Sequence, residues 1–172
     1  MSELTLQLVT GSDAAEIIAF EQENRAFFAR FVPDRGDDYF SLANMARFLA
    51  EIEAEQARGE CYLYLVRRHD GELVGRVNLV DIQKTPQPSA DIGYRIGASH
   101  GGHGYGSEAV RLALIQAARH GIGLVRAMTT EENVASQTVL LRNGFAITGR
   151  KPKHLDVNGT LCDAVFFERA LG

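Results

Sequence analysis

A chain of 172 residues with 45% hydrophobic content is sized for one compact domain with an ordinary core and leaves little room for a second. Its net charge of −4 argues against a dedicated nucleic-acid binder, whose domain would be strongly basic. Cys61 and Cys162 lack the spacing of a zinc site or a disulfide framework, no run reaches the length of a membrane span, and no basic-then-apolar leader opens the chain, so a cytoplasmic protein is expected.

LTLQLV alternates Leu4, Leu6 and Leu8, the period of a half-buried strand. Asp13 and Glu16 make a capping-box-like start to a helix whose apolar face, opened by Ile17 and Phe20, runs into ENRAFFARFVPDR until Pro33 ends it. Leu42, Met45, Leu49 and Ile52 repeat at three- and four-residue spacing, a second amphipathic helix that closes near Gly59. CYLYLVRR and ELVGRVNLVDI are β-rich runs, and Asp70-Gly71 between them predicts a tight antiparallel hairpin. After the Pro-rich loop TPQPS, ADIGYRI reads as another strand. A helix from Ser107 to about His120 is apolar nearly all round, as one packed deeply on a sheet should be. LVRAMTT is a strand, NVASQTVLLRNGF a helix stopping at Asn143-Gly144, and FAITGR and LCDAVFFE flank HLDVNGT in a last hairpin turning at Asn158-Gly159. The order predicts a mixed α/β layer architecture.

Between the ADIGYRI strand and the following helix lies GGHGYGSEAV, residues 101–110, with Gly101, Gly102, Gly104 and Gly106 inside six positions. Glycine lets backbone approach a ligand closely, and a helix N-terminus presents unpaired N–H groups, so the pair suits an anion, most often phosphate. A plain strand-to-helix turn would need one or two glycines rather than four. The P-loop pattern fails because Ser107 stands where its Lys belongs. The dinucleotide fingerprint fits literally through Gly104, Gly106 and Ala109, but the preceding hairpins are antiparallel and too few βαβ repeats follow.

Several segments in order resemble the GNAT acetyltransferases, in particular the RimJ/RimL type that acetylates protein N-termini. GGHGYGSEA is similar to that family's acyl-CoA loop, Gln/Arg-x-x-Gly-x-Gly/Ala, with Gly101 replacing the Gln or Arg. ADIGYRIG looks like its AEIGY strand, NVASQTVLLRNGF like its Asn-x-x-Ser helix ending in Gly-Phe, and Arg150, Asn158-Gly159 and Asp163 fall where this branch commonly has them. The resemblance spans nearly the whole chain. It implies a single domain over residues 1–172, with a mixed, mostly antiparallel sheet flanked by helices and a V-shaped acetyl-CoA cleft. It implies acetyl-CoA as cosubstrate, no metal, an amine acceptor and, as is common in this branch, an edge-to-edge homodimer.

Residue by residue, the resemblance implies that Tyr94, Arg95 and Ile96 lie along the pantetheine arm. Gly101, Gly102, His103, Gly104, Tyr105, Gly106 and Ser107 would surround the pyrophosphate, with backbone N–H groups from His103 to Ser107 closing on it. His103 has a blander reading as an exposed loop histidine, as do His100 and His154. Ser136 resembles the residue that hydrogen-bonds the CoA sulfur in this branch; Leu140 fills the position where many relatives carry a Tyr, and Ser136 equally suits a helix cap. Asn133 is a good N-cap by type, with a pantetheine contact implied as well. Asp91 stands near some relatives' Glu base and would act through water, unless it is a structural carboxylate at a strand start. Asn24, Phe27, Phe28 and Phe31 fall where the fold covers the acceptor, although Phe at helical spacing is more often core. The leading expectation is an N-acetyltransferase for a protein α-amine. A small amine such as a polyamine, amino acid or antibiotic is the second, and a CoA-binding module without catalysis the third.

Overall fold

The computed structural model describes residues 2–172. The first strand, β1 (Leu4–Leu8), leads through a 3-10 turn into α1 (Ala14–Glu23). Its start differs from the expected Asp13/Glu16 box. The Asp13 carboxylate accepts the Thr10 N–H at 2.8 Å, whereas Glu16 is drawn away to Arg67. The helix also does not run on to Pro33. It breaks at Asn24 and resumes only as the single turn α2 (Arg25–Phe28), after which residues 29–36 form an irregular loop. The amphipathic α3 (Leu42–Ala57) follows as expected, capped by Ser41, whose hydroxyl accepts the Asn44 N–H.

The strands β2 (Tyr62–Arg68) and β3 (Leu73–Gln83) are joined in a tight turn through His69-Asp70-Gly71, as the Asp70-Gly71 signal leads one to expect. Gly71 N–H bonds Arg68 O, Arg68 N–H bonds Glu72 O, and Gly71 sits at φ 90, a three-residue loop with glycine in the left-handed position. Next come β4 (Ser89–Ile96), α4 (Tyr105–Arg119), β5 (Leu124–Thr130), α5 (Val134–Arg142), β6 (Ala146–Val157) and β7 (Thr160–Ala170). The β6–β7 strands run further than FAITGR and LCDAVFFE, and only Asn158 (φ 52) and Gly159 (φ 92) turn the chain, as an Asn-Gly hairpin requires. No helix among the described residues is long and apolar enough to cross a membrane.

Among the described residues, seven strands form one sheet in the order β1-β2-β3-β4-β5-β7-β6. All neighbours are antiparallel except β4 and β5, which pair in parallel only through Ser89↔Leu124, Ala90↔Val125 and Asp91↔Arg126. Beyond Asp91 the two strands have no register partners in each other, so the sheet opens into a V. One arm is β1–β4, the other β5, β7 and β6. The α4 helix covers the face formed by Val77, Leu79, Ala90 and Ile92 with its own Val110, Ala113 and Ala117. Its outer side, including Arg111, Ile115 and Ala118, is exposed, so it is a one-faced helix rather than an all-round buried one. Ile17, Met45 and Leu49 of α1 and α3 cover Leu63 and Leu65 on the opposite face.

Candidate active site

The helix α4 begins two residues before Ser107, at Tyr105, because Gly104 takes the N-cap position at φ 75. The two glycines at positive φ in this turn, Gly102 and Gly104, give it its shape. Gly106 serves a different need: a Cβ there would lie 3.2 Å from Tyr94 and 3.4 Å from Val139, so its bareness lets β4 and α5 close on the helix start. The first intrahelical bond runs from Glu108 N–H to Gly104 O, and no side chain caps the turn. The N–H groups of Tyr105, Gly106 and Ser107 therefore point out of the helix end, beside the positive pole of its dipole. Asn143 fixes this end against α5, its amide donating to Ser107 O at 3.1 Å and Val139 O at 3.0 Å.

These elements enclose a cleft of about 300 Å³ along the V. Tyr94, Arg95 and Ile96 line it from β4, Gly101, Gly102 and Gly104 from the loop, Tyr105, Gly106 and Ser107 from the first turn of α4, Asn133 and Ser136 from the N-cap and first turn of α5, Phe27 and Phe28 from α2, and Phe31 from the loop after it. His103 does not. Its Nδ1 lies 2.9 Å from Gly101 O and its ring packs on Tyr105 at 5.3 Å, which turns it along the loop. Within the aromatic group, Phe28 is buried at 6% exposure against Phe20 and under the Arg95 guanidinium, while Phe27 and Phe31 are half-buried and meet edge to face.

Two further expected residues are held elsewhere. Asn24, 5% exposed, spends its side chain on backbone: its amide donates to Phe20 O at 2.9 Å and its oxygen accepts the Ala98 N–H at 2.8 Å, tying the end of α1 to the exit of β4. Asp91 sits at the vertex of the V, 3.2 Å from Arg126 Nε, and neither residue lines the cleft. An aspartate tied to an arginine at that vertex is in no position to reach an amine in the cleft directly.

Ser136 has the two readings expected of it separated by its neighbours. The capping role is taken by Asn133, whose Oδ1 accepts the Ser136 N–H at 3.2 Å. The Ser136 hydroxyl faces the cleft, where Tyr94 Oη donates to Oγ at 3.1 Å across the two arms. Burial pushes the Tyr94 phenol above its ordinary pKa, opposed in part by that hydrogen bond, so the phenol stays protonated. Leu140, one helical turn on, is 2% exposed and belongs to the core.

Sequence reasoning missed Val32, Gly97, His100, Ala135, Val139 and Arg142, which also line the cleft. Val139 was findable, since it lies three positions after Ser136 and beside it on the helix surface, and Arg142 is in turn three positions after Val139. Among the described lining residues there is no Asp or Glu. Glu21, which contacts the lining residue Arg95, is 3% exposed and committed to Arg76 at 2.6 Å and Arg95 at 2.8 Å. At the open end, the β6–β7 turn crosses from one arm of the V to the other. The Asn158 amide donates to Ala29 O at 2.8 Å and Val32 O at 3.2 Å, and its Oδ1 accepts the Asp34 N–H at 2.8 Å.

A family model described as an acetyltransferase (GNAT) domain matches residues 3–146. A probable N-acetyltransferase of Bacillus subtilis, YjcK, is 32% identical over 151 residues, covering 86% of this chain and 83% of that protein. Among solved structures, the ribosomal-protein-S5-alanine acetyltransferase of Vibrio fischeri superposes with a TM-score of 0.93 at 21% identity, over 99% of this chain and 94% of that one. The spermidine N-acetyltransferase of Vibrio cholerae, in complex with CoA and spermine, superposes with a TM-score of 0.84 at 18% identity, over 99% and 96%.

Proposed function

Because the chain belongs to the GNAT acetyltransferase family, and is therefore an acyltransferase, we propose that it carries acetyl from acetyl-CoA to the α-amine of a polypeptide N-terminus. In this reading the N–H groups of Tyr105, Gly106 and Ser107 bind the pyrophosphate, helped by the dipole of α4. Beyond Asp91, the edge of β4 facing the V has backbone N–H and C=O groups free of β5, and these take the pantetheine amides. The thioester then lies near Ser136, where an N–H of the same edge can hold the carbonyl oxygen as charge develops on it. The amine attacks the carbonyl carbon; the C–N bond forms, the C–S bond breaks, and its electron pair leaves on sulfur. Ser136 O–H hydrogen-bonds that sulfur, and the ammonium proton passes to water.

The observation that carries the acceptor assignment is the absence of any carboxylate among the described residues lining the cleft. The imidazole in that lining, His100, has its Nε2 3.4 Å from Glu72 Oε1 and is turned to that carboxylate, so the amine must arrive neutral. At pH 7.5 an α-amine of pKa about 7.7 to 8.0 is roughly a quarter to two-fifths neutral, while a lysine amine near 10.4 is neutral about once in a thousand. An enzyme for the more basic amine would have to recover that factor with a positioned base, whose contribution is about 10² to 10⁴.

The test is CoA release at pH 7.5 from three acceptors: a peptide with free N-terminal Ala or Ser, the same peptide blocked at its N-terminus with an internal Lys, and spermidine. The free N-terminus should react about a hundredfold faster in kcat/KM than the blocked peptide, its rate rising with pH through a midpoint near the amine pKa of about 8 and levelling roughly one unit above it. Preference for the blocked Lys peptide or for spermidine overturns the acceptor assignment. Acetyl-CoA binding with no turnover of any amine reduces the chain to a binder.

A further inference from the structure

Two hydroxyl groups meet across the V: Tyr94 Oη, from β4, and Ser136 Oγ, from α5, at 3.1 Å with tyrosine as donor. The remaining hydrogen-bonding needs around Ser136 are already met, since Asn133 Oδ1 takes its backbone N–H at 3.2 Å and caps the helix. Ser136 Oγ is thus relieved of the local duty that serine ordinarily has in a first helical turn. A hydroxyl oxygen that accepts one directed bond has its own O–H restricted to the other tetrahedral directions. Both side chains line the cleft, so the freed direction opens into it.

We propose that Tyr94 is a positioning residue for acetyl transfer: its phenol O–H holds the Ser136 oxygen so that the Ser136 O–H is aimed at the sulfur as the thioester breaks. This rests on the acyltransfer reading above and adds to it a residue that acts through Ser136. Tyr94 keeps its proton throughout. Its ordinary pKa of about 10 already exceeds that of a thiol near 8.5, and burial raises it further, so a thiolate is too weak a base to take that proton. The proton balance is therefore that of the transfer itself: the ammonium proton leaves to water, sulfur leaves as thiolate stabilised by the Ser136 hydrogen bond, and both hydroxyls end as they began. The gain lies in preorganisation, because a donor already aimed at the developing charge need not reorient during the step.

The packing of the ring separates this role from that of a structural tyrosine. The Tyr94 ring lies against Gly106, where a Cβ would approach to 3.2 Å, and it packs on the core under α4. Phenylalanine keeps those contacts and removes only the hydroxyl.

Six proteins decide it: the native chain, Ser136→Ala and Ser136→Thr, each with and without Tyr94→Phe, all measured for acetyl-CoA affinity by calorimetry and for kcat on the N-terminal peptide. Tyr94→Phe should lower kcat about fivefold to thirtyfold, the worth of one directed hydrogen bond, with acetyl-CoA affinity within about twofold of native. In the Ser136→Ala background the same change should cost less than about twofold, because the oxygen it positions is gone. Ser136→Thr, which restores a hydroxyl, should restore the sensitivity to Tyr94→Phe. Equal losses in both backgrounds, or a loss confined to acetyl-CoA affinity, assign Tyr94 to packing or cofactor contact and overturn the proposal while leaving the acyltransfer reading in place. A native chain that turns over no amine overturns both.

Discussion

At one end of the cleft the wall is a single stretch of chain, residues 101–107, whose shape comes from glycines in the left-handed region and from the backbone of a helix start. At the other end it is assembled from distant pieces. The loop after α2 is held to the β6–β7 turn by Asn158, over separations of 124 to 129 residues, and the β4 wall is held by Glu21 gripping Arg76 and Arg95. The difference teaches how one fold can keep a common cosubstrate and vary its acceptor. A site made of backbone N–H groups depends on conformation and tolerates few residue types, whereas a site made of side-chain ties can be rewired pair by pair without disturbing the sheet.

Substitutions at the two ends should therefore fail differently. The largest effect is expected at the buried centre of the assembled end. Glu21→Ala leaves Arg76, itself 5% exposed, without its carboxylate, and breaking a buried pair by removing one partner costs about 3 to 5 kcal/mol. Urea unfolding measures this directly; a loss below about 1 kcal/mol would mean that the guanidinium groups find other partners, and the end is less interdependent than described. Next comes Gly104→Val. A β-branched residue at φ 75 is strained by about 1 to 3 kcal/mol, and relaxing that strain moves the N–H groups at the head of α4, so acetyl-CoA affinity should fall up to about a hundredfold in a folded protein. Near-native affinity by calorimetry would remove the loop from the cosubstrate site.

The smallest and most selective effect belongs to Asn158→Gly. Glycine takes φ 52 freely, so the hairpin turn survives while three hydrogen bonds across the V are lost. Exposed bonds of this kind contribute about 0.5 to 1.5 kcal/mol, and the consequence should be a threefold to tenfold rise in KM for the peptide acceptor with unchanged acetyl-CoA affinity. If both constants move together, the Asn158 tie supports the whole V and not the acceptor end alone.

What was legible in the sequence follows the same division. The left-handed turn and helix start at the glycine run were legible because φ > 0 and a helix N-terminus are properties of consecutive residues, and the Asn158-Gly159 turn was equally local. Even there, packing reassigned the glycines: Gly106 is small for the sake of Tyr94 and Val139, which sequence spacing does not reveal. Ser136 could be singled out by position but not separated from a helix cap, because that depends on which atom its N–H meets, and the answer, Asn133 Oδ1, is a matter of α5 geometry.

Asn24 and Asp91 were offered to the site because a polar residue near an expected cleft has no visible partner in sequence. Folding supplied partners that take up their side chains, Phe20 O and Ala98 N–H for one and Arg126 for the other. The same long-range assembly broke the first helix at Asn24, where the pull of the β4 exit outweighed a helical pattern that continued through Phe27 and Phe28. Sequence alone determined the order of elements, the local turn chemistry and the family they resemble, since each is written in neighbouring residues. The opening of the V beyond Asp91, the Tyr94–Ser136 contact across it and the Asn158 tie over its mouth were decided only by tertiary structure. Each joins groups far apart in the chain, and a hydrogen bond between such groups exists only once the sheet has brought them within about 3 Å.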